Sequence, residues 1–222
     1  MIQINDLSRC FGKKQILSSI SLRVEDGMCV GILGQNGSGK STMLSLLAGT
    51  LPRGSGEFFH DGTDLFKDRK RHAACVGYVP QGTPLIEELN AMDNLRLWYS
   101  GSREIRKELE SGLLAILGIS DFLKVPVSHM SGGMKKRLSI GCAAAHHPRI
   151  LLLDEPSAAL DLICKERIAN YLRVFKENGG IVILTTHDIQ ELPLCDVLYI
   201  LKEGRLVPYE YDGDYHHLAG QL

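Results

Sequence analysis

The 222-residue sequence lacks several features that would place it in large classes of proteins. Its formal net charge is -1, so no global basic field draws it onto nucleic acid or an anionic membrane. It has no run of about 18 apolar residues of the kind that spans a bilayer. Residues 1–6 show no basic segment followed by an apolar stretch, as a signal peptide would. We therefore expect a soluble chain, and any membrane process it serves requires a second protein in the membrane.

The sequence also lacks a CxxC pair. Its six cysteines are scattered, at positions Cys10, Cys29, Cys75, Cys142, Cys164 and Cys195. A disulfide framework or a zinc site would need closer or more regular spacing, so the pattern favours reduced thiols in the core of a cytosolic protein. The 44% hydrophobic content supports one substantial core, or a core with a smaller lobe, rather than two independent domains.

Three apolar runs predict buried parallel strands, because they are continuous rather than alternating. They cover residues 28–33, 150–153 and 181–184. Polar or glycine-rich residues follow each run, at 34–37, 154–155 and 185–187. Ligands of open α/β sheets bind outside the carboxyl ends of the strands, so these three strand ends predict one shared site.

Residues 83–147 have a different pattern. Apolar residues recur at helical spacing from Ser102, a plausible helix cap, to Gly118, which ends the helix. A second helix is predicted to begin near Ser131. We expect an α/β core over residues 1–82 and 148–207, with a helical lobe inserted at 83–147. The tail, 208–222, is rich in Tyr and His, and we expect it to cover the surface rather than bind a ligand.

A glycine-rich phosphate-binding loop follows the first predicted strand. The matching residues are Gly34, Gln35, Asn36, Gly37, Ser38, Gly39, Lys40 and Ser41. The glycines let backbone N–H groups converge on a polyphosphate, and the helix predicted from Lys40 adds its positive N-terminal pole. Lys40 is predicted to reach the β- and γ-phosphates and the Ser41 hydroxyl to hold magnesium. A chance glycine-rich turn does not account for eight matching positions between a strand and a helix.

Two acids follow the second predicted strand. Asp154 fits the acidic position that binds magnesium, directly or through water, in P-loop ATPases. Glu155 then projects beside the phosphates, where it orients or deprotonates the attacking water. Either acid alone is a common residue at a strand end, but together with the phosphate-binding loop the pair indicates ATP hydrolysis.

The segment from Ser131 to Arg137 breaks local rules of helix formation. Gly132 and Gly133 weaken the start of the helix, and three cations in its first turns oppose the helix dipole. A polyphosphate docked on this N-terminus would compensate, with Ser131 and the Gly133 N–H as donors. Since residues 34–41 already cradle one nucleotide, this second element suggests a nucleotide that is held by another subunit.

These motifs together resemble those of the ATP-binding subunit of ABC transporters, over nearly the whole chain. They occur in order at residues 34–42, 78–81, 130–134, 152–156, 157–161 and 185–188. The resemblance implies a P-loop NTPase fold of the ABC type, with α/β core and inserted helical subdomain. It also implies a head-to-tail dimer in which each ATP lies between one subunit's loop and the other's Ser131 helix.

The resemblance assigns further roles to single residues. Phe11 would stack on adenine, and Gln81 would link magnesium and the attacking water to the helical lobe. His187 would contact the γ-phosphate, and Asp161 would help to form the subunit interface. The site residues implied are then Phe11, Gly34, Gln35, Asn36, Gly37, Ser38, Gly39, Lys40, Ser41, Thr42, Ser131, Gly132 and Gly133 for ATP, Ser41, Gln81 and Asp154 for Mg²⁺, and Glu155, His187 and Gln81 for catalysis.

The sequence departs from the commonest family pattern at three positions. Met134 stands where Gln is usual, Leu162 where Pro is frequent, and Phe11 where Tyr is common. None of these changes removes a group required for hydrolysis. The Met-containing signature favours an exporter over an importer.

The family also implies partners. We expect a homodimer or heterodimer of ATPase subunits, bound through the groove near residues 81–88 to integral-membrane permease subunits on the cytoplasmic face, and no nucleic acid. Two other interpretations remain at this stage: a non-transport ATPase of the same family that acts on DNA or ribosomes, and a regulatory nucleotide-binding module. The first usually carries tandem cassettes, long coiled coils or zinc modules, which this sequence lacks. The presence of both Glu155 and His187 argues against the second.

Overall fold

The three predicted strands belong to one six-stranded sheet. In the computed structural model, which describes residues 1–222, its strands in spatial order are β10 (Arg205–Tyr209), β9 (Val197–Lys202), β3 (Cys29–Leu33), β8 (Ile181–Thr185), β7 (Ile150–Asp154) and β6 (Val76–Val79). Only β9 and β10 pair in antiparallel fashion, and all other neighbours are parallel. The strands predicted at residues 28–33, 150–153 and 181–184 are confirmed, and they are spatial neighbours.

The continuous apolar character of these strands follows from burial on both faces of the sheet. Along β7, Leu151 and Leu153 belong to a core cluster shared with helices, whereas Ile150 and Leu152 belong to a second cluster on the opposite face. Successive side chains of a strand point to opposite faces. A strand that is covered on both sides therefore has no position for a polar residue.

The second cluster lies between this sheet and an antiparallel one that the sequence did not predict. Its strands in spatial order are β2 (Lys14–Val24), β1 (Ile2–Phe11), β4 (Ser55–His60) and β5 (Thr63–Asp64). Ile4 of β1, Phe58 of β4 and Leu44 of helix α1 (Lys40–Leu47) are fully buried in this cluster. The antiparallel sheet thus covers one face of the parallel sheet together with α1.

Residues 83–147 are mostly helical, as predicted. They form α3 (Ala91–Arg96), α4 (Ser102–Ser111), α5 (Leu113–Ile116), two 3-10 turns (Ile119–Phe122 and Val127–His129) and α6 (Gly132–Ala143). The remaining helices are α2 (Arg69–Cys75), α7 (Leu162–Glu177), the 3-10 segment Ile189–Leu194 and α8 (Tyr215–Gln221). One continuous apolar cluster joins this region to the parallel sheet, with Leu138 of α6 and Leu184 of β8 both fully buried. The exact division between core and lobe stays a prediction.

The helix predicted from Ser102 to Gly118 is wrong in two respects. Ser102 is the first residue of α4 rather than its cap, because Gly101 holds the cap position and no side chain caps the helix. The helix also breaks at Gly112. The Glu108 carboxylate accepts a hydrogen bond from the Leu113 N–H at 2.9 Å and so caps a new helix, α5. Gly118 has a left-handed backbone (φ +61°) and follows the last turn, as predicted.

The cysteine prediction is right for the buried thiols and wrong for Cys10, which is exposed. Cys29, Cys142 and Cys164 are buried, and all six cysteines are free. In the tail, Leu218 of α8 is buried against Leu33 and Ile200, so the tail covers the sheet near the end of β3. No helix has both the length and the apolar character that a bilayer span requires.

Candidate active site

The carboxyl ends of the parallel strands open onto a cavity of about 780 Å³. Its lining unites the loop after β3 with side chains from three other strand ends. The lining residues are Ile16, Gln35, Asn36, Gly37, Gly39, Lys40, Ser41, Thr42, Gln81, Glu155 and His187. The shared site predicted from the polar strand ends therefore exists as one cavity.

Two glycines set the path of the phosphate-binding loop. Gly34 has φ +153° directly after β3, and a Cβ there would lie 2.7 Å from the Leu201 carbonyl oxygen. Gly39 has φ +110° directly before α1, and a Cβ there would lie 2.9 Å from the Ile16 side chain. Any larger residue would therefore displace the loop from the strand behind it. Gly39 caps α1 without a side-chain hydrogen bond, so the N–H groups of the first turn remain available to an anion.

Lys40 lies almost buried at the floor of the cavity. Its Nζ donates hydrogen bonds to the carbonyl oxygens of Gly34 at 2.6 Å and Gln35 at 3.0 Å. Burial lowers the pKa of Lys40, whereas the carboxylates of Glu155 and Asp154 act in the opposite direction. The ammonium group is thus held under the loop by backbone dipoles, where it can meet a polyphosphate.

Asp154 and Glu155 occupy different positions at the end of β7. Asp154 lies behind the cavity, 2% exposed, and accepts a hydrogen bond from the Thr185 hydroxyl at 2.6 Å. Glu155 has a left-handed backbone (φ +47°), which is costly for a residue with a Cβ, and its N–H donates to Thr185 O at 3.1 Å. This turn directs the Glu155 carboxylate into the cavity and leaves the Asp154 carboxylate one layer below.

Each oxygen of the Glu155 carboxylate faces a different partner. Gln81 Nε2 donates to Glu155 Oε2 at 3.1 Å, and His187 Nε2 lies 3.2 Å from Glu155 Oε1. Burial, followed by the nearby Lys40, lowers the pKa of His187, and Glu155 and Asp154 oppose this shift. The neutral imidazole is favoured, so His187 has one ring N–H to donate. Glu155 therefore contacts both of the other residues predicted to act in catalysis.

The Ser131 segment lies elsewhere. Ser131, Gly132 and Gly133 do not line the cavity of their own chain, and Ser131 is exposed. The Ser131 hydroxyl caps α6 by accepting a hydrogen bond from the Met134 N–H at 3.2 Å. This leaves its own O–H proton free to donate outward. We call residues 131–133 the Ser131 tip.

The three cations after the Ser131 tip all have partners inside their own chain, which corrects the sequence interpretation: Lys135 pairs with the Glu87 carboxylate at 3.7 Å, and the other two bind carbonyl groups. Lys136 and Arg137 are 6% and 8% exposed. Lys136 Nζ donates to Pro80 O at 3.2 Å and Gln81 O at 3.3 Å, and Arg137 Nη1 donates to Leu117 O at 2.7 Å. These side chains satisfy carbonyl groups inside their own chain, so no docked phosphate is needed to compensate them.

Phe11 and Asp161, to which the family resemblance gave roles, both lie outside the cavity lining. Phe11 is 46% exposed, lies outside the cavity lining and carries the Arg9 guanidinium 4.9 Å from its ring centre. The apolar residue that lines the cavity is Ile16 rather than Phe11. Ile16 belongs to none of the sequence motifs, so sequence reasoning missed it. Asp161 accepts a hydrogen bond from the Cys164 N–H at 2.8 Å and caps α7. The roles of Phe11 and Asp161 in a complex stay predictions.

The fold and the cavity define a P-loop ATPase of the ABC class. The family model described as ABC transporter matches residues 17–158. The chain therefore belongs to the ABC transporter family. It is an ATP-binding chain and an ATPase.

Relatives of this chain serve transport in both directions. It is 33% identical over 211 residues to the linearmycin resistance ATP-binding protein LnrL of Bacillus subtilis, with 93% of this chain and 68% of the relative covered. It is 33% identical over 225 residues to the Nod factor export ATP-binding protein I of Rhizobium etli, which covers 100% of this chain and 70% of the relative. It is also 34% identical over 212 residues to a spermidine/putrescine import ATP-binding protein of Bacteroides fragilis, with 93% of this chain and 46% of the relative covered.

Solved ATP-binding cassettes have the same fold. A dimeric cassette in a post-hydrolysis state, bound to ADP and phosphate, superimposes with a TM-score of 0.82 at 28% identity, covering 96% of this chain and 100% of that chain. The chain thus has the fold of a cassette that was solved as a dimer after hydrolysis.

Proposed function

We propose that this chain hydrolyses ATP as one of two paired subunits, and that closure of the pair drives an exporter-type membrane transporter. The observation that carries the proposal is the separation of two groups of phosphate donors. The loop around Lys40 lines the cavity of its own chain, whereas the Ser131 tip presents an exposed hydroxyl outside that cavity. A second subunit in head-to-tail orientation brings the two groups to one triphosphate.

In this proposal the loop holds ATP on its backbone N–H groups, with Lys40 at the β- and γ-phosphates. Ser41, Gln81 and Asp154 would hold Mg²⁺ through hydroxyl, amide and carboxylate oxygens, which are ligands that Mg²⁺ prefers, and Asp154 would act through water because it lies behind the cavity. The donor set fits, since Mg²⁺ takes one or two carboxylates and completes its shell with substrate phosphates and water. Bound there, the ion offsets negative charge on the phosphate oxygens.

Glu155 is proposed as the general base, and its contacts support this role. Gln81 and His187 hold its two oxygens at 3.1 and 3.2 Å and orient the carboxylate toward the cavity. Glu155 accepts a proton from the water that attacks the γ-phosphorus, and the bond from that phosphorus to the bridging oxygen breaks. When ATP is bound, His187 donates its single ring N–H to a γ-phosphate oxygen instead of to Glu155. The pair of subunits opens as phosphate leaves.

A groove between the lobes is the proposed docking surface for the permease. It has a volume of about 660 Å³ and is rich in apolar and aromatic groups, among them Tyr78, Pro84, Leu85 and Trp98. Trp98 is 56% exposed, which is unusual for so large an apolar side chain. The groove begins beside Pro80, one residue before Gln81. A segment of the membrane partner bound in this groove would be displaced when Gln81 moves.

The proposed direction rests on the names of two relatives, a resistance protein and an export protein, together with the Met134 form of the signature. Disruption of the gene is then expected to make cells more sensitive to a toxic compound that they normally expel. A new requirement for an external nutrient would instead indicate import.

Co-purification from membranes tests the transport role. The tagged wild-type chain is expected to bring down a multi-spanning membrane protein, and Trp98→Glu to lose most of it while the ATPase rate of the isolated chain is unchanged. Leu97→Glu is the matched control, because Leu97 is 58% exposed but does not line the groove. Equal recovery with both variants would contradict the docking surface. No membrane protein with the wild-type chain would contradict the transport role.

A further inference from the structure

Lys136 is a buried cation that forms no ion pair, and the proposed mechanism does not use it. It belongs to a run of three cations on α6, and each has a different partner. Lys135 pairs with Glu87 at 3.7 Å, and Arg137 binds carbonyl groups near Gly118. Lys136 alone reaches toward the active site, with a side chain that is 6% exposed.

The two acceptors of Lys136 lie directly after β6, at Pro80 O (3.2 Å) and Gln81 O (3.3 Å). No backbone N–H donates to either oxygen. The ammonium group is therefore their donor within the chain, and it fixes the backbone at the residue whose side chain contacts Glu155. Burial lowers the pKa of Lys136, but Asp154 and Glu155 act against this shift and favour the charged form.

The position of Lys136 on α6 connects these contacts with the Ser131 tip. Lys136 follows Ser131 by five residues, little more than one helical turn. Displacement of the tip as a rigid helix would therefore displace the Nζ atom, and with it the backbone of Gln81. An ammonium group has three donors and no acceptor, so it can hold both carbonyl oxygens at once.

We propose that Lys136 is a positioning residue that couples the Ser131 tip to the Gln81–Glu155 contact. This inference rests on the proposed function, in which the tip grips a triphosphate held by the partner subunit. Engagement of the tip at one nucleotide then sets the catalytic geometry at the other nucleotide, which lies on the tip's own chain. The two sites of the pair would communicate through the Lys136 side chain.

Lys136→Met tests this role, since Met has similar volume but neither charge nor a donor. We expect a fall in kcat on the order of tenfold to a hundredfold, as for displaced catalytic groups, with the Kd for ATP unchanged in calorimetry. Lys135→Met is the matched control on the same helix, and it should retain the wild-type kcat.

A double-mutant cycle separates positioning from a general effect on folding. If Lys136 acts through Gln81, the Lys136→Met, Gln81→Ala double variant is no slower than Gln81→Ala alone. Independent roles would multiply the two losses, and that result would overturn the inference. Lys136→Gln retains an N–H donor. In a chain that keeps Gln81 it should have a higher kcat than Lys136→Met, whereas in the Gln81→Ala chain the two substitutions should give the same kcat. Lys136→Gln also replaces Lys136→Met in the cycle if the latter unfolds.

Failure of this inference is distinguishable from failure of the proposed function. A Glu155→Gln chain that never pairs in the presence of ATP contradicts the proposed function itself. A chain that pairs normally but keeps wild-type kcat after Lys136→Met contradicts only the coupling role.

Discussion

The Lys40 loop and the Ser131 tip are both rich in glycine and both begin a helix, yet only the Lys40 loop is surrounded by other segments of its own chain that form a cavity. The Lys40 loop opens onto a cavity whose walls come from four other segments of the same chain, and its ammonium group is satisfied by Gly34 and Gln35. The Ser131 tip lies outside that cavity, and its residues Ser131 and Gly132 are exposed. The contrast supports the proposal that the first region binds a triphosphate by itself, whereas the second contributes to a site only together with another subunit.

The largest effect on kcat is expected at Glu155, which lines the cavity around the Lys40 loop. Glu155→Gln should lower kcat by roughly 10²–10⁴-fold, because a general base contributes about that much. Binding of ATP should persist, since the amide keeps the shape of the side chain. Glu166→Gln removes an exposed carboxylate from α7 and should leave kcat unchanged. Steady-state phosphate release measures both. Wild-type turnover by Glu155→Gln would refute the assignment of the base.

Lys40→Ala should weaken ATP binding to the single chain. The loss of a charge-assisted hydrogen bond is worth about 1.5–3 kcal/mol, or roughly tenfold to a hundredfold in Kd. Calorimetry with the isolated chain measures the change, and Lys70→Ala, on an exposed part of α2, is the control. Unchanged affinity in Lys40→Ala would show that the cavity is not the triphosphate site.

Ser131→Ala sharpens the contrast, because it should leave the ATP affinity of the single chain unchanged. We expect it instead to weaken pairing by about tenfold, through loss of one hydrogen bond to a charged group. It also removes the N-cap of α6, at a cost of about 1 kcal/mol of folding stability. Ser131→Asp keeps the cap and places a negative charge beside the triphosphate, so it should fold normally and pair poorly. A reduced single-chain affinity in either variant would contradict the separation of the two regions.

Features of the fold and site were predictable from the sequence where the pattern that indicates them lies within one short segment. The strands β3, β7 and β8 were predictable because burial on both faces leaves uninterrupted apolar runs. The phosphate-binding loop was predictable because its chemistry lies within eight consecutive residues. The antiparallel sheet was not, since β1 and β2 shift register at several points and Asp6 and Ser19 adopt positive φ, which interrupts their alternation.

The roles that sequence reasoning missed depend on contacts between distant segments. Lys136 and Arg137 read as free cations at a helix N-terminus, because their carbonyl acceptors lie 56, 55 and 20 residues away along the chain. The break at Gly112 depends on the Glu108 side chain, which caps the next helix instead of facing solvent. Ile16 enters the cavity because Gly39 packs against β2.

Sedimentation velocity of Glu155→Gln with and without ATP and Mg²⁺ tests the pairing of subunits most directly. We expect a single chain without nucleotide and a dimer with it, and a return toward the single chain when Ser131→Asp is added to Glu155→Gln. A Glu155→Gln chain that binds ATP but stays monomeric at high concentration, even with its membrane partner present, would contradict the shared site.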